Sequence, residues 1–226
     1  METIFITGAS RGIGLALTQA FLSRGDKVIA TYRGQPSPAL EDLSNSANLY
    51  LHPLEVTDEK AVQSFAASIA DHIDVLINNA GVIGPEDQSM TQVTEKDWLE
   101  TFAVNTIAPL SISRAFLPHL KRSERPRIVT ISSMMGSLSD EGTGMYAYRS
   151  SKAAVNKVMQ VLSLELREDG ITVCPIHPGW VQTDMGGANA EITPQASVAG
   201  IIALVDKLTL DMSGQFYTWE GKEHPW

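Results

Sequence analysis

A chain of 226 residues with a formal net charge of −9 and a single cysteine can bury one sizeable core. It lacks the thiols for a disulfide framework or a cysteine-built zinc site, and its charge has the wrong sign for a nucleic-acid backbone. Its 43% hydrophobic and 19% charged residues are those of an ordinary globule, and no apolar run approaches the roughly 20 residues of a membrane span. Met1 leads directly into the strand-like "TIFITG" rather than a basic and then apolar leader, so a cytoplasmic location is expected.

The first expected strand, Thr3–Thr7, runs into "TGASRGIG" and then a helix over Gly12–Ser23. Gly8, Gly12 and Gly14 permit a tight turn and let a diphosphate approach backbone N–H groups at a positive helix end. The second strand, Lys27–Tyr32, ends "IATYRGQ". An acid there would select a free ribose 2′-hydroxyl; Arg33 stands in its place, with Arg11 in the glycine loop, and two guanidinium groups suit a 2′-phosphate. A helix over Pro38–Leu43, a strand over Asn48–His52, a helix over Glu59–His72 capped by Asp58, and a strand over Val75–Asn78 follow. A long helix is expected over Glu95–Leu120, opened by a capping box of Thr94 and Asp97. The cluster Lys121, Arg122, Arg125 and Arg127 reads as a solvated loop before a strand over Arg127–Ser132. Then come a helix over Tyr148–Glu168, a strand over Ile171–Ile176 holding Cys174 as a buried structural thiol, a helix over Pro194–Leu208 and a last strand over Gln215–Trp219.

There are no internal repeats or low-complexity tracts. Strands alternating with crossover helices predict an α/β protein: a single-domain Rossmann fold spanning residues 1–226, with a doubly wound parallel sheet of about seven strands. Such sheets bind ligands beyond the carboxyl ends of their strands.

"TGASRGIG", "NNAG" at Asn78–Gly81, "VN" at Val104–Asn105, "SS" at Ser132–Ser133, "YRSSK" and "PGWVQTDM" occur in this order, and together they resemble the short-chain dehydrogenase/reductase family over essentially the whole chain. "YAYRSSK", "HPGWVQTDMGG", the short C-terminal third and the ending "GKEHPW" are most similar to its C-factor and sniffer type of carbonyl reductase. The resemblance implies an NADPH-dependent reductase of a small-molecule carbonyl substrate. The other reading is a cofactor-binding signalling protein of the C-factor type with little turnover. It also implies a homo-oligomer, with a dimer formed through the helices Glu95–Leu120 and Tyr148–Glu168. The apolar "VNKVMQVLSLEL" gives that assembly a motive.

Two tyrosines compete for the proton-transfer role. In a helix opening near Tyr148, Lys152 lies one turn on and on the same face; Tyr146 is six positions from Lys152, roughly 240° around the helix, and its own fourth neighbour is the uncharged Ser150. Bringing a phenol from about 10 to about 7 takes roughly 4 kcal/mol of preferential anion stabilisation, a task for Lys152 and the oxidised nicotinamide. The resemblance accordingly implies that Tyr148 is the acid, that Lys152 lowers its pKa and holds the nicotinamide ribose, that Ser133 bonds the carbonyl with Ser132 as the weaker candidate, and that Asn105 completes a relay through water. The Ser133 to Tyr148 spacing is two residues longer than usual for the family and is read as an insertion in "SLSDEGTG". Lys157 is given a structural role and His177 none.

The resemblance further implies NADP(H) along Gly8, Ser10, Arg11, Gly12, Ile13 and Gly14, past Arg33 and the pair Glu55 and Val56, over Asn79, Ala80 and Gly81, and on to Tyr148, Lys152, Pro178, Gly179, Val181 and Thr183. Met134, Met135, Tyr146, Trp180 and Met185 are expected as adaptable walls of an open substrate pocket, because Pro194 opens the next helix with little room for a lid. No metal is expected.

Overall fold

The computed structural model describes residues 1–226. Seven parallel strands form one sheet in the order β3-β2-β1-β4-β5-β6-β7. The strands are β1 (Thr3–Ile6), β2 (Lys27–Tyr32), β3 (Leu49–Pro53), β4 (Val75–Asn78), β5 (Arg127–Ile131), β6 (Thr172–His177) and β7 (Tyr217–Thr218). The helices are α1 (Gly12–Ser23), α2 (Pro38–Glu41), α3 (Glu59–Ser68), α4 (Glu95–Phe102), α5 (Ala108–Ala115), α6 (Leu117–Leu120), α7 (Tyr146–Glu165) and α8 (Pro194–Lys207). This is the expected doubly wound sheet. Its strand order reverses between β1 and β4, which opens the crevice at their carboxyl ends.

Both faces of the sheet are covered, and its central strands β1, β4 and β5 are buried at every position and mostly apolar for that reason. In β1, Ile4 and Ile6 point into a core with Leu17 and Phe21 of α1 and Val198 and Ile201 of α8. Phe5 points the other way, into a core with Phe65 of α3, Ile112 of α5 and Val155 and Met159 of α7. Cys174 is fully buried in the first core, and burial pushes its thiol up to about 12, so it is inert.

Several elements differ from expectation. The helix predicted over Glu95–Leu120 is three helices: α4 passes through a π-helical turn at Ala103–Ile107 into α5, and the chain bends again at Phe116 before α6. Periodicity sees only the shared apolar face; the π turn carries Asn105, whose side chain is drawn away to other elements. Helix α7 begins at Tyr146, two residues earlier than predicted, so Tyr146 belongs to its first turn. Helix α3 stops at Ser68, and β7 retains only Tyr217–Thr218 of its predicted length. Arg127 is not a solvated loop residue: it is fully buried, with its guanidinium bound by Glu2 and the carbonyls of Arg125 and Val205. The caps by Asp58 and Thr94 form as predicted, on the N–H groups of Ala61 and Asp97. No helix is long and apolar enough to cross a membrane, and no group of three or more His, Cys, Asp or Glu could hold a metal ion.

Candidate active site

A cleft of about 490 Å³ lies beyond the carboxyl ends of β1 and β4. Its phosphate end is built by close backbone packing. Gly8 has a φ of +68°, and a Cβ there would stand 2.9 Å from the Cα of Ala80. A Cβ on Gly14 would lie 2.3 Å from the Gly8 carbonyl oxygen and 2.5 Å from Asn79 Nδ2. The turn after β4 is knitted to this loop: Asn79 Nδ2 donates to the carbonyls of Thr7 and Gly8, and Thr7 Oγ1 accepts from the N–H groups of Asn79 and Ala80. Ser37 ties down the far side, its hydroxyl donating to the Ser10 carbonyl and its N–H to Ser10 Oγ.

Arg11 and Arg33 both line the cleft. Arg11 reaches Asp184 at 3.0 Å, and Arg33 lies 4.0 Å from Glu55. Glu55 also accepts at its other oxygen from Thr57. Both ion pairs are exposed, so either arginine can leave its partner at little cost, on the order of 0–1 kcal/mol.

At the other end the cleft is lined by Ser132, Tyr148 and Lys152, with Ser133 outside the lining. The Ser133 hydroxyl lies near the Tyr148 phenol, where it opposes the effect of burial on that phenol, and it accepts from the Met135 N–H. Ser132, the weaker candidate, has its hydroxyl committed to Asn156 at 2.5 Å. Lys152 Nζ donates to the Ile131 carbonyl at 2.9 Å and stands 5.8 Å from the centre of the Tyr148 ring. The expected lowering of the phenol by Lys152 is not what the protein alone presents. Burial raises Tyr148 above the usual phenol range, the nearby Ser133 hydroxyl opposing it, while burial lowers Lys152 to about 8. A Cβ on Gly81 would lie 3.7 Å from Lys152 Nζ and 3.4 Å from Asn105 Oδ1, so its absence keeps the floor open beside both.

Asn105 donates to the Val82 carbonyl and to Ser151 Oγ and accepts from the Val82 N–H, which commits its side chain to holding the loop after β4 against α7. Of the residues predicted to hold a nucleotide, Gly8, Ser10, Gly12, Ile13, Val56, Asn79, Ala80, Pro178 and Thr183 also line the cleft, but Gly179 and Val181 do not. Val181 is buried beside Ile192, and a Cβ on Gly179 would meet Ile192 and Trp219. Of the five expected substrate walls only Met185 lines the cleft; Met134, Met135, Tyr146 and Trp180 do not. Trp180 donates to the Gly186 carbonyl, and Tyr146 lies beside Trp98 of α4, outside the cleft. The segment between β6 and α8 has no helical lid, as its shortness predicted. His177 is lowered to about 4 by burial and packs against His224, apart from the reacting groups. Sequence reasoning missed Thr7, Ser37, Gln88, Ser151 and Asp184, polar residues whose partners are remote in the chain and which carry no local signature.

A glycine-lined cleft at the switch point of a doubly wound sheet, with Ser, Tyr and Lys gathered at one end, defines the class of dinucleotide-binding oxidoreductases. The chain belongs to the short chain dehydrogenase family, whose sequence profile matches residues 2–193. It is 40% identical over 167 residues to the C-signal protein of Myxococcus xanthus, a match covering 73% of this chain and all of that one. It is similar in structure to an NADPH-bound carbonyl reductase from chicken fatty liver, with a TM-score of 0.93 and 37% identity over 100% of this chain and 99% of that one. The carbonyl reductase Sniffer of Drosophila melanogaster is similar at a TM-score of 0.95 and 32% identity over the whole of both chains.

Proposed function

We propose that the protein is a cytoplasmic, NADPH-dependent reductase of aldehyde or ketone carbonyls, with Tyr148 as the proton donor. The observation that carries this reading is the buried Tyr148 phenol, set near the Ser133 hydroxyl and one helical turn from Lys152 in a glycine-lined cleft. The residues fit the cofactor: the packed glycines leave a backbone-lined bed, and Arg11 and Arg33 are placed to share a 2′-phosphate. The NADPH bound to the chicken enzyme supports the same choice. When bound, the cofactor supplies the hydride.

The protein's own task is then to bind and polarise the carbonyl and to deliver a proton. Ser133 donates a hydrogen bond to the carbonyl oxygen, and Tyr148 gives that oxygen its phenolic proton. Burial favours this direction, because it keeps the phenol protonated at neutral pH. Lys152 carries its charge below about 8 and stabilises the phenolate left behind; reduction is therefore expected to fall as pH rises through about 8. Asn105 holds the floor of the site by fixing Val82 to α7.

The pocket, lacking a lid and walled by Met185, suits medium-sized aromatic or aliphatic carbonyls. NADPH oxidation across a panel of such carbonyls tests the reading, with Tyr148→Phe expected to lower kcat at least about 1,000-fold while NADPH binding is retained. Near-normal turnover by that variant would remove Tyr148 from the mechanism. The similarity to C-signal favours a signalling role as the second reading; absence of turnover on every carbonyl with NADPH bound would favour it.

The assembly we propose is a homodimer. Leu99, Ile107, Leu110, Val161 and Leu164 leave apolar side chains exposed on α4, α5 and α7 and in the π turn. Light scattering should give twice the 24.5 kDa of the chain at micromolar concentration, and a monomer there would refute it.

A further inference from the structure

Helix α7 carries Tyr148 and Lys152, yet its N-terminus has no cap of its own. Met145, at the N-cap position, has a φ of +51° and offers no side-chain hydrogen bond. A helix start leaves its first N–H groups without intrahelical partners, and a buried one needs acceptors from elsewhere. Here they come from Gln88, on the loop after β4 and 60 residues away in the chain. Its Oε1 accepts from the Tyr148 N–H at 2.9 Å, and its backbone carbonyl accepts from the Tyr146 N–H at 3.4 Å. Its Nε2 meanwhile donates to the carbonyls of Ile83 at 2.7 Å and Pro85 at 3.1 Å. Gln88 is only 4% exposed, and both donors of its amide and one acceptor position of its oxygen are used.

The loop held in this way is the one that lines the cleft at Gly81 and Val82. Asn105 fixes the same loop at Val82 and reaches α7 at Ser151, one turn beyond Gln88's contact. A Cβ on Gly84 would lie 2.9 Å from Thr101 Oγ1 and 3.3 Å from Gln88 Nε2, so a side chain there would press on α4 and on Gln88. Two buried amides thus pin one wall of the cleft to the helix that bears the proton donor. We propose that Gln88 is a positioning residue for this reaction: it caps α7 from the loop after β4 and so fixes Tyr148 against Ser133 and the cleft. The proposal rests on the role given above to Tyr148.

Two substitutions separate positioning from mere packing. Gln88→Leu keeps the bulk and removes every polar contact. Gln88→Glu, held in its neutral form by burial beside the Ile83 and Pro85 carbonyls, keeps an acceptor for the Tyr148 N–H and one donor for those carbonyls, losing only the second. Steady-state kinetics with NADPH and one good carbonyl should show Gln88→Leu about 10- to 100-fold lower in kcat, the scale expected for misplacing a reacting group by about 1 Å, with KM for NADPH within about threefold. Gln88→Glu should recover kcat to within about fivefold of the parent.

The second readout needs no turnover: the phenol of Tyr148, isolated as the ultraviolet titration difference against Tyr148→Phe in the same background. In Gln88→Leu it should ionise at a higher pH, because the Ser133 hydroxyl that opposes burial is no longer held beside it. An unshifted phenol together with kcat within twofold of the parent would overturn the proposal, as would a Gln88→Glu protein as impaired as Gln88→Leu. If Gln88→Leu does not fold, Gln88→Glu decides alone: near-parental kcat and titration support the cap, and a tenfold loss overturns it. If the parent itself reduces no carbonyl, the reading of function fails, and the phenol titration still decides the role of Gln88.

Discussion

At the β1 and β4 end the cleft is walled by backbone, while at the β5 and β6 end it is walled by side chains that loops bring together. The first end has little tolerance. Gly8, Ala80, Gly14 and Asn79 pack so closely that a single added methyl group would collide with a carbonyl oxygen or a bonded amide. The second end depends on distant partners: Ser133 reaches Tyr148 across the loop after β5, Gln88 caps α7 from the loop after β4, and Thr183, on the loop after β6, packs beside Gly12. A bed for a phosphate needs close approach and is built from residues that lack side chains, whereas proton transfer needs one side chain held at a chosen height.

The contrast breaks first at Gly14. Gly14→Ala puts a Cβ 2.3 Å from the Gly8 carbonyl oxygen, and neither that backbone nor the bonded Asn79 can yield without opening the turn. Overpacking of this kind costs about 1–3 kcal/mol of stability. Affinity for NADPH is expected to fall about 100-fold or more as the N–H groups of the turn lose their common aim. Fluorescence titration with NADPH, beside a melting curve, measures both. Affinity within threefold of the parent would mean that the glycine turn is not the phosphate bed.

What the sequence made legible divides along the same line. Gly8, Gly12, Gly14 and Gly81 announce the phosphate end because glycine has few other reasons to cluster after a buried strand, and the apolar runs of β1, β4 and β5 place it at the centre of the sheet. The spacing of four between Tyr148 and Lys152 was readable because helix geometry alone puts both on one face. The pocket walls were not. Met134, Tyr146 and Trp180 lie close to the site in sequence, but where they point depends on loop paths that periodicity does not encode. The π turn at Asn105 was hidden for a related reason: its cause is a set of bonds to Val82 and Ser151, and neither neighbours it in the chain.

A smaller effect sharpens the comparison at the cleft's edge. Arg11 and Arg33 are side chains added to an end otherwise made of backbone, and they are expected to set cofactor choice rather than binding as such. Removing either one, as Arg11→Ala or Arg33→Ala, should lower kcat/KM for NADPH about tenfold to 30-fold, with NADH changed less than about threefold. Their acidic neighbours do not cancel this preference: the Arg11 and Asp184 side chains are 76% and 74% exposed, so water screens their attraction. Equal losses with NADPH and NADH would place the two arginines on the shared part of the cofactor.

The smallest expected effect belongs to Tyr146, two residues from the largest. Both tyrosines lie in the first turn of α7, about 200° apart around its axis. Tyr148 is 8% exposed and faces Ser133; Tyr146 is 43% exposed, with its ring 6.5 Å from that of Trp98, and takes no part in lining the cleft. Its backbone carries a clearer duty than its side chain, since its N–H goes to Gln88 and its carbonyl accepts from Ser150. Loss of the hydroxyl in Tyr146→Phe leaves those backbone bonds in place, and kcat and KM are both expected within about twofold of the parent. A tenfold rise in KM for the carbonyl substrate, with kcat unchanged, would show that this ring reaches the substrate when the cleft is filled. The loop end would then contribute a wall by moving, something the backbone-built end cannot do.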